Sequence, residues 1–259
     1  MASLSIARED GVVRVTMDRP GVHNAFDESM IAEIDAAFAD CSGDPQARAI
    51  VLAGRGKAFS AGADIQWMKR QGEASEEANL QDARRFAAML DRIAISPKAT
   101  IAAVQGACMG GGVGLACACD FAIAADSARF SVSEARFGII PSVIGPYLIA
   151  AVGVRQARRL ALSTARIDAA EALRIGLVHE VVPEERLSAA VDALLAQLRL
   201  SAPGAIAEVK ALYPRLGAMG PGAEARELTA ATIARVRGTA EAREGFAAFL
   251  EKRAPRWTL

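Results

Sequence analysis

No charged residue occurs between Lys98 and Asp120. A stretch of that length comes close to what a bilayer-spanning helix requires, so it belongs either in a membrane or inside a core. Gln105 and the run Gly110-Gly111-Gly112 decide against the membrane, because glycine runs interrupt helices and the next residues, Asp120 to Ala125, read as another strand. The stretch therefore reads as a buried strand at Thr100 to Val104, a turn, and an apolar helix from about Val113 to Cys119, followed by a strand at Phe121 to Ala124.

The same alternation runs through the preceding residues. Val13, Val15 and Met17 alternate with Arg14 and Thr16, which is the period of a half-buried strand, and Arg19-Pro20-Gly21 ends it. Met30, Ile31, Ile34 and Phe38 then recur at helical spacing, a strand follows at Ala49 to Ala53, and a helix is expected over Leu80 to Ile93. Asp168 and Glu171 have capping-box spacing and Gly176 supplies a stop before a strand at Val178 to Val182. From Arg186 onward only helical periodicity remains, interrupted at Pro203-Gly204 and Pro221-Gly222 and ending in Phe246, Phe249 and Leu250. Alternating strands and helices predict an α/β core, here residues 1–200, with an all-helical region over 201–259.

With 30 basic and 30 acidic residues among 259, the chain has no electrostatic footprint for nucleic acid or an anionic membrane. Its 52% hydrophobic content excludes disorder. Cys41, Cys108, Cys117 and Cys119 read as small buried thiols rather than a disulfide framework, which favours a reducing compartment. The early charges at Arg8 and Glu9 do not fit a signal peptide, so a cytoplasmic location is expected.

Two turns carry chemical potential. Phe59-Ser60-Ala61-Gly62-Ala63-Asp64-Ile65 places small residues between a strand and a helix that Asp64 can cap. Gly110-Gly111-Gly112 opens a second helix, whose first N–H groups have no intrahelical partner and carry the positive dipole end. Either turn can bind an oxyanion, and two converging N–H donors would make an oxyanion hole. Leu115 stands where a dinucleotide fingerprint needs glycine or alanine, and Gly56-Lys57-Ala58 lacks the spacing of a phosphate loop. Glu134 follows Ser131-Val132-Ser133 in half-buried surroundings that can tune a carboxyl, while its position alone favours an exposed helix-start glutamate paired with Arg129 or Arg136. His23 and His179 provide little material for a triad or a zinc site, and no metal site is expected.

Arg19-Pro20 with Asn24-Ala25, then Phe59 to Ile65, then Gln105-Gly106 through Gly112, resemble the crotonase (enoyl-CoA hydratase/isomerase) superfamily. Ile139-Ile140-Pro141, Ala169 to Val178 and Ala248 to Arg253 extend the resemblance to the carboxyl end. It implies a spiral of ββα turns, a carboxyl-terminal helical trimerisation region, and a homotrimer or dimer of trimers. It also implies an acyl-CoA substrate whose thioester oxygen is held by the N–H groups of Ala63 and Gly111. No separate cofactor is implied, coenzyme A being part of the substrate. Ala25, Ala61, Asp64 and Ile65 match the family's CoA contacts, and Phe249 and Lys252 match residues that reach CoA from its last helix.

Hydratases of this family carry two glutamates, and this chain keeps only the second, Glu134; the first position is Gly114. The expected activity is hydration of a 2-enoyl-CoA through Glu134. The alternatives are a Δ3,Δ2-enoyl-CoA isomerase, which needs one carboxylate, and a non-catalytic acyl-CoA binder. Gly114-Leu115, Asn79 to Arg84, Ser133 to Gly138 and Ala234 to Arg237 resemble the branch acting on 3-methylglutaconyl-CoA and isohexenylglutaconyl-CoA in leucine and acyclic-terpene breakdown. For such substrates Arg84 or Arg85 is a candidate partner of the terminal carboxylate, and Trp67, Met68, Phe86 and Met89 are candidate walls of the acyl pocket.

Overall fold

A computed structural model describes residues 3–258. Strands β1 (Leu4–Glu9) and β2 (Val12–Met17) form an antiparallel hairpin whose two turn residues, Asp10 and Gly11, have φ of 47° and 75°. Two consecutive positive φ values match the right-handed twist of the flanking strands. Helix α1 (Glu28–Gly43) begins where the Asp27 side chain accepts from the Met30 N–H, and leads to β3 (Ala49–Gly54) and β4 (Ala58–Ser60). Helices α2 (Ile65–Gly72) and α3 (Glu76–Ile95) follow, then β5 (Ala99–Val104), β6 (Ala107–Met109) and α4 (Gly111–Ala118). The chain continues through β7 (Phe121–Ala125), β8 (Arg129–Ser131), α5 (Gly145–Ser163), β9 (Ile167–Asp168), α6 (Ala169–Arg174) and β10 (Glu180–Val182). It closes with α7 (Leu187–Arg199), α8 (Pro203–Met219), α9 (Ala223–Arg237) and α10 (Ala240–Leu250).

The strands divide between two sheets, ordered β1-β2-β3-β5-β7-β10 and β4-β6-β8-β9. Each of the pairs β3/β4, β5/β6 and β7/β8 gives one strand to each sheet, and these three pairs lie parallel side by side. This is the ββα spiral implied by the resemblance. Every residue of β5 is buried because helices cover both faces of the larger sheet: one core cluster gathers α1, α3 and α4, and another lies between the sheet and α7. Gln105, the polar break in the uncharged stretch, is accommodated by donating from Nε2 to the carbonyls of Gly54 and Gly56 at 2.6 and 3.1 Å. No helix among the described residues is long and apolar enough to cross a membrane.

Strand β1 and helix α5 are not foreshadowed by the sequence pattern. Pro146 sits in the first turn of α5, where proline is favourable, and Gly153 (φ 72°, ψ 158°) kinks the helix, dividing its buried face between Leu148 and Val152 on one side and Ala157 and Leu160 on the other. Helix α4 starts at Gly111 rather than Val113, and β10 is shorter than the expected Val178 to Val182. The carboxyl-terminal helices meet the core through Lys210, whose Nζ donates to Asp120 at 2.5 Å and to the Lys98 carbonyl at 2.8 Å. Asp120 also accepts from both the N–H and the hydroxyl of Thr100. Phe246, Phe249 and Leu250, although spaced as one helix face, are left exposed by the single chain.

Candidate active site

The first turn is assembled around Asn24, which is fully buried. Its side chain accepts from the Arg19 N–H and donates to the carbonyls of Arg55 and Ala58, and its own carbonyl accepts from Ser60 Oγ. His23 and Asn24 both adopt left-handed backbone (φ 53° and 54°), so the chain doubles back and the His23 carbonyl accepts from the Ala61 N–H at 2.8 Å. Phe26 then pairs with Ala63: the Phe26 N–H donates to Gly62 and the Asp64 N–H donates to Phe26, each at 2.9 Å. In a parallel bridge of this kind the central residue's own N–H points the other way. Asp64 caps α2 by accepting from the N–H groups of Gln66 and Trp67. The Arg19 guanidinium holds the turn from outside, donating to the Ala25 carbonyl at 2.7 Å and pairing with Asp27 and Asp64.

The second turn lies alongside. A Cβ built on Gly62 would stand 2.6 Å from the Met109 carbonyl oxygen and 3.4 Å from the Gly111 nitrogen, so the two turns touch backbone to backbone. Gly111 is the first residue of α4, where the N–H has no intrahelical acceptor. Any side chain there would meet Phe26 Cζ at 2.3 Å and Phe86 Cζ at 3.1 Å.

Glu134 opens a short 3-10 turn, Glu134–Phe137, that Gly138 ends with φ of 74°. Its Oε1 lies 3.0 Å from where a Cβ on Gly110 would be, which sets the carboxyl against the start of α4. Oε2 is buried without a hydrogen-bond partner among the described residues. Burial pushes this carboxyl above its ordinary value, opposed only in part by the N–H groups of Glu134 and Ser133. The ion pair that position alone allowed is not formed: Arg136 donates to the hydroxyl and carbonyl of Thr164, and Arg129 to the carbonyls of Asp126 and Ala128.

Ala63, Gly111 and Glu134 line one cavity of about 320 Å³. Trp67, Met68 and Phe86 form apolar walls, as expected, whereas Met89 is fully buried in the core and does not reach it. Gly114 is tight: a Cβ there would lie 2.3 Å from Ile144 Cγ2, so an isoleucine methyl fills the place into which a side chain at this position would project. Asp82 also lines the cavity, paired through Oδ1 with Arg85 at 3.0 Å. Sequence reasoning passed over Asp82, although its spacing from Phe86, Met89, Leu90 and Ile93 already put it on the inward face of α3.

The remaining expected residues fall around the rim or beyond it. Ala25, Ala61 and Asp64 belong to the turn beside Ala63, and Ile65 is exposed at the start of α2. Phe249 and Lys252 lie at the end of α10, outside this cavity of the single chain. Arg84 is exposed on α3. His179 accepts from the Ala122 N–H at Nδ1 and stabilises the end of β7. The four cysteines are free; burial pushes the Cys117 thiol up to about 12 and those of Cys108 and Cys119 up as well, so they are inert packing groups. No group of three metal-ligating side chains occurs among the described residues.

Residues 7–259 match the family described as enoyl-CoA hydratase/isomerase. The crystal structure of an enoyl-CoA hydratase from Shewanella pealeana is similar, with 39% identity and a TM-score of 0.96 over 98% of this chain and 96% of that one. An enoyl-CoA hydratase/isomerase from Marinobacter aquaeolei gives 38% identity and a TM-score of 0.94 over the whole of both chains. The carnitinyl-CoA dehydratase of Escherichia coli K12 is 35% identical over 268 residues, covering 98% of each chain.

Proposed function

This chain belongs to the enoyl-CoA hydratase/isomerase family and is a crotonase-type enzyme, and from that premise we propose that it adds water across the double bond of a 2-enoyl-CoA. The N–H groups of Ala63 and Gly111 hold the thioester oxygen as it gains charge, and Glu134 delivers a proton to Cα. The observation that carries this reading is the buried Glu134 carboxyl, set against the start of α4 in the cavity that Ala63 and Gly111 also line. A donor at an oxyanion is worth about 2.7–4 kcal/mol of transition-state stabilisation. Burial raises the pKa of this carboxyl, so it keeps its proton to a higher pH than an exposed glutamate would, which suits a proton donor. The chemistry needs no cofactor beyond the coenzyme A that the substrate carries.

The acyl chain is read as short and branched, of the glutaconyl type. Apolar walls at Trp67, Met68 and Phe86 suit a branch methyl, whereas Arg85 pairs with Asp82 from the exposed side of α3 and is not one of the lining residues. A second reading, Δ3,Δ2-enoyl-CoA isomerisation, is favoured by the Ile144 methyl packed onto Gly114, which leaves no room for the usual first glutamate. The exposed apolar residues Phe246, Phe249 and Leu250 support self-association of the helical region as a trimer or dimer of trimers.

The test is to incubate the protein with crotonyl-CoA, a 3-enoyl-CoA and 3-methylglutaconyl-CoA in ¹⁸O-labelled water, beside Glu134→Gln, and identify the products by mass. Label at Cβ that falls by about 10²–10⁴-fold in the variant is expected. Unlabelled 2-enoyl product from the 3-enoyl substrate would replace hydration by isomerisation.

A further inference from the structure

Of the residues that line the cavity, Asp82 and Glu134 are the two with carboxyl side chains. Asp82 is 7% exposed, on a helix face otherwise made by Met89, Leu90 and Ile93. A carboxylate on the buried face of a helix is costly to desolvate, and surface ion pairing does not require it to be there. Its partner Arg85 has a side chain that is 56% exposed, against 10% for Asp82, so the pair reaches inward from the surface with the acid at the inner end. Oδ1 takes the arginine, and Oδ2 has no protein partner among the described residues. Phe86, one turn further along α3, packs over Gly111, and residues four apart lie on the same side of a helix. Asp82 thus shares one cavity with Gly111 at the α4 N-terminus and with Glu134, while Ile144 closes the space beside Gly114.

We propose that Asp82 is a catalytic carboxylate, the group that holds and deprotonates the attacking water, in place of the glutamate this chain lacks at Gly114. The inference rests on the hydratase reading. In the addition, a water O–H bond breaks and its proton passes to Asp82, while the water oxygen bonds to Cβ. The π pair moves to the thioester oxygen as an enolate, facing the N–H groups of Ala63 and Gly111. The enolate then collapses and its Cα takes the proton of Glu134. The proton held on Asp82 returns to Glu134 through solvent, so both carboxyls end as they began and nothing is oxidised or reduced.

Two reactions separate this role from a structural one. Exchange of the α-protons of a saturated acyl-CoA in D₂O uses the oxyanion site and Glu134 but no attacking water. Asp82→Asn should lower kcat for hydration of the preferred enoyl-CoA about 100-fold or more while leaving α-proton exchange within about threefold of wild type. Asp82→Glu, which restores a carboxylate, should recover part of the hydration rate. Undiminished hydration in Asp82→Asn would overturn the proposal, as would hydration and exchange falling together, the mark of a damaged cavity. A wild type that exchanges α-protons yet hydrates no enoyl-CoA would defeat the hydratase reading itself, and Asp82's role with it, before any variant is compared.

Discussion

Phe26 and Ala63 meet in a single parallel bridge in which the Phe26 N–H donates to Gly62 and the Asp64 N–H donates to Phe26, both at 2.9 Å, so that the N–H of Ala63, a cavity-lining residue, takes no part in the pairing. The Phe26 ring is held in place by Phe86 and Trp67, with centroids at 5.3 and 6.4 Å. One residue therefore shapes both turns, the first through its backbone and the second through its ring. Phe26→Ala should lose about 3–5 kcal/mol in urea denaturation, and a loss under about 1 kcal/mol would contradict this packing.

Gly111→Ala inserts a methyl 2.3 Å from the Phe26 ring. The ring cannot yield cheaply, so the start of α4 must shift and take its N–H donor with it. The expected effect is a fall in kcat of about 10²–10³, the range for losing one oxyanion donor. Adding Phe26→Leu should restore part of it, which steady-state kinetics on the double variant would read.

Gly114→Glu, which writes the family's usual first glutamate back into the chain, should not raise the hydration rate. The new Cβ would stand 2.3 Å from Ile144 Cγ2, and forcing volume into a packed core costs about 1–3 kcal/mol or more. A lowered melting temperature is expected, relieved when Ile144→Ala is added.

The raised pKa of Glu134 has a defined sign for stability. The folded chain holds this proton more tightly than the unfolded chain, whose exposed carboxyl titrates near the ordinary 4.5. The contribution is present below that value and lost as pH rises from it through the raised folded value. The unfolding free energy of wild type minus that of Glu134→Gln should therefore decline as pH is raised from 4.5 toward neutrality. A difference that grew with pH would contradict the burial. Proton delivery by Glu134 likewise predicts hydration rates that fall on the alkaline side of the raised value.

Lys210→Met tests the link between the helical region and the core. It removes a cation that is 11% exposed and leaves Asp120, 25% exposed, with only the Thr100 donors. A loss of about 1–3 kcal/mol is expected in chemical denaturation. A change within about 0.5 kcal/mol would mean that α8 is held by apolar packing alone.

The local features of the site were legible because short-range chemistry dictates them. The caps at Asp64 and Asp168, the glycine run that opens α4 and the stop at Gly176 each follow from backbone needs within a few residues, and each occurs where those needs arise. Helix α5 was hidden because its kink at Gly153 divides the periodicity that would have announced it. Phe246, Phe249 and Leu250 carried the spacing of a core face but meet no core in one chain, since periodicity reports that a face is apolar and not what covers it.

By itself the sequence determined that an uncharged strand-turn-helix would lie buried and that two small-residue turns would each open a helix, and its resemblance to the family marked Gly114 as the place of the usual first glutamate. Only the tertiary structure decided that the turns lie side by side, that Glu134 is free of Arg129 and Arg136, and that Ile144 fills the space at Gly114. It alone brought Asp82 into the cavity with Glu134, 52 positions later in the chain. The reason is physical: hydrogen-bonding and steric needs along the backbone are settled among near neighbours, whereas which side chain fills, pairs with or faces another depends on how the α3, α4 and α5 helices pack, and that is set by the whole core at once.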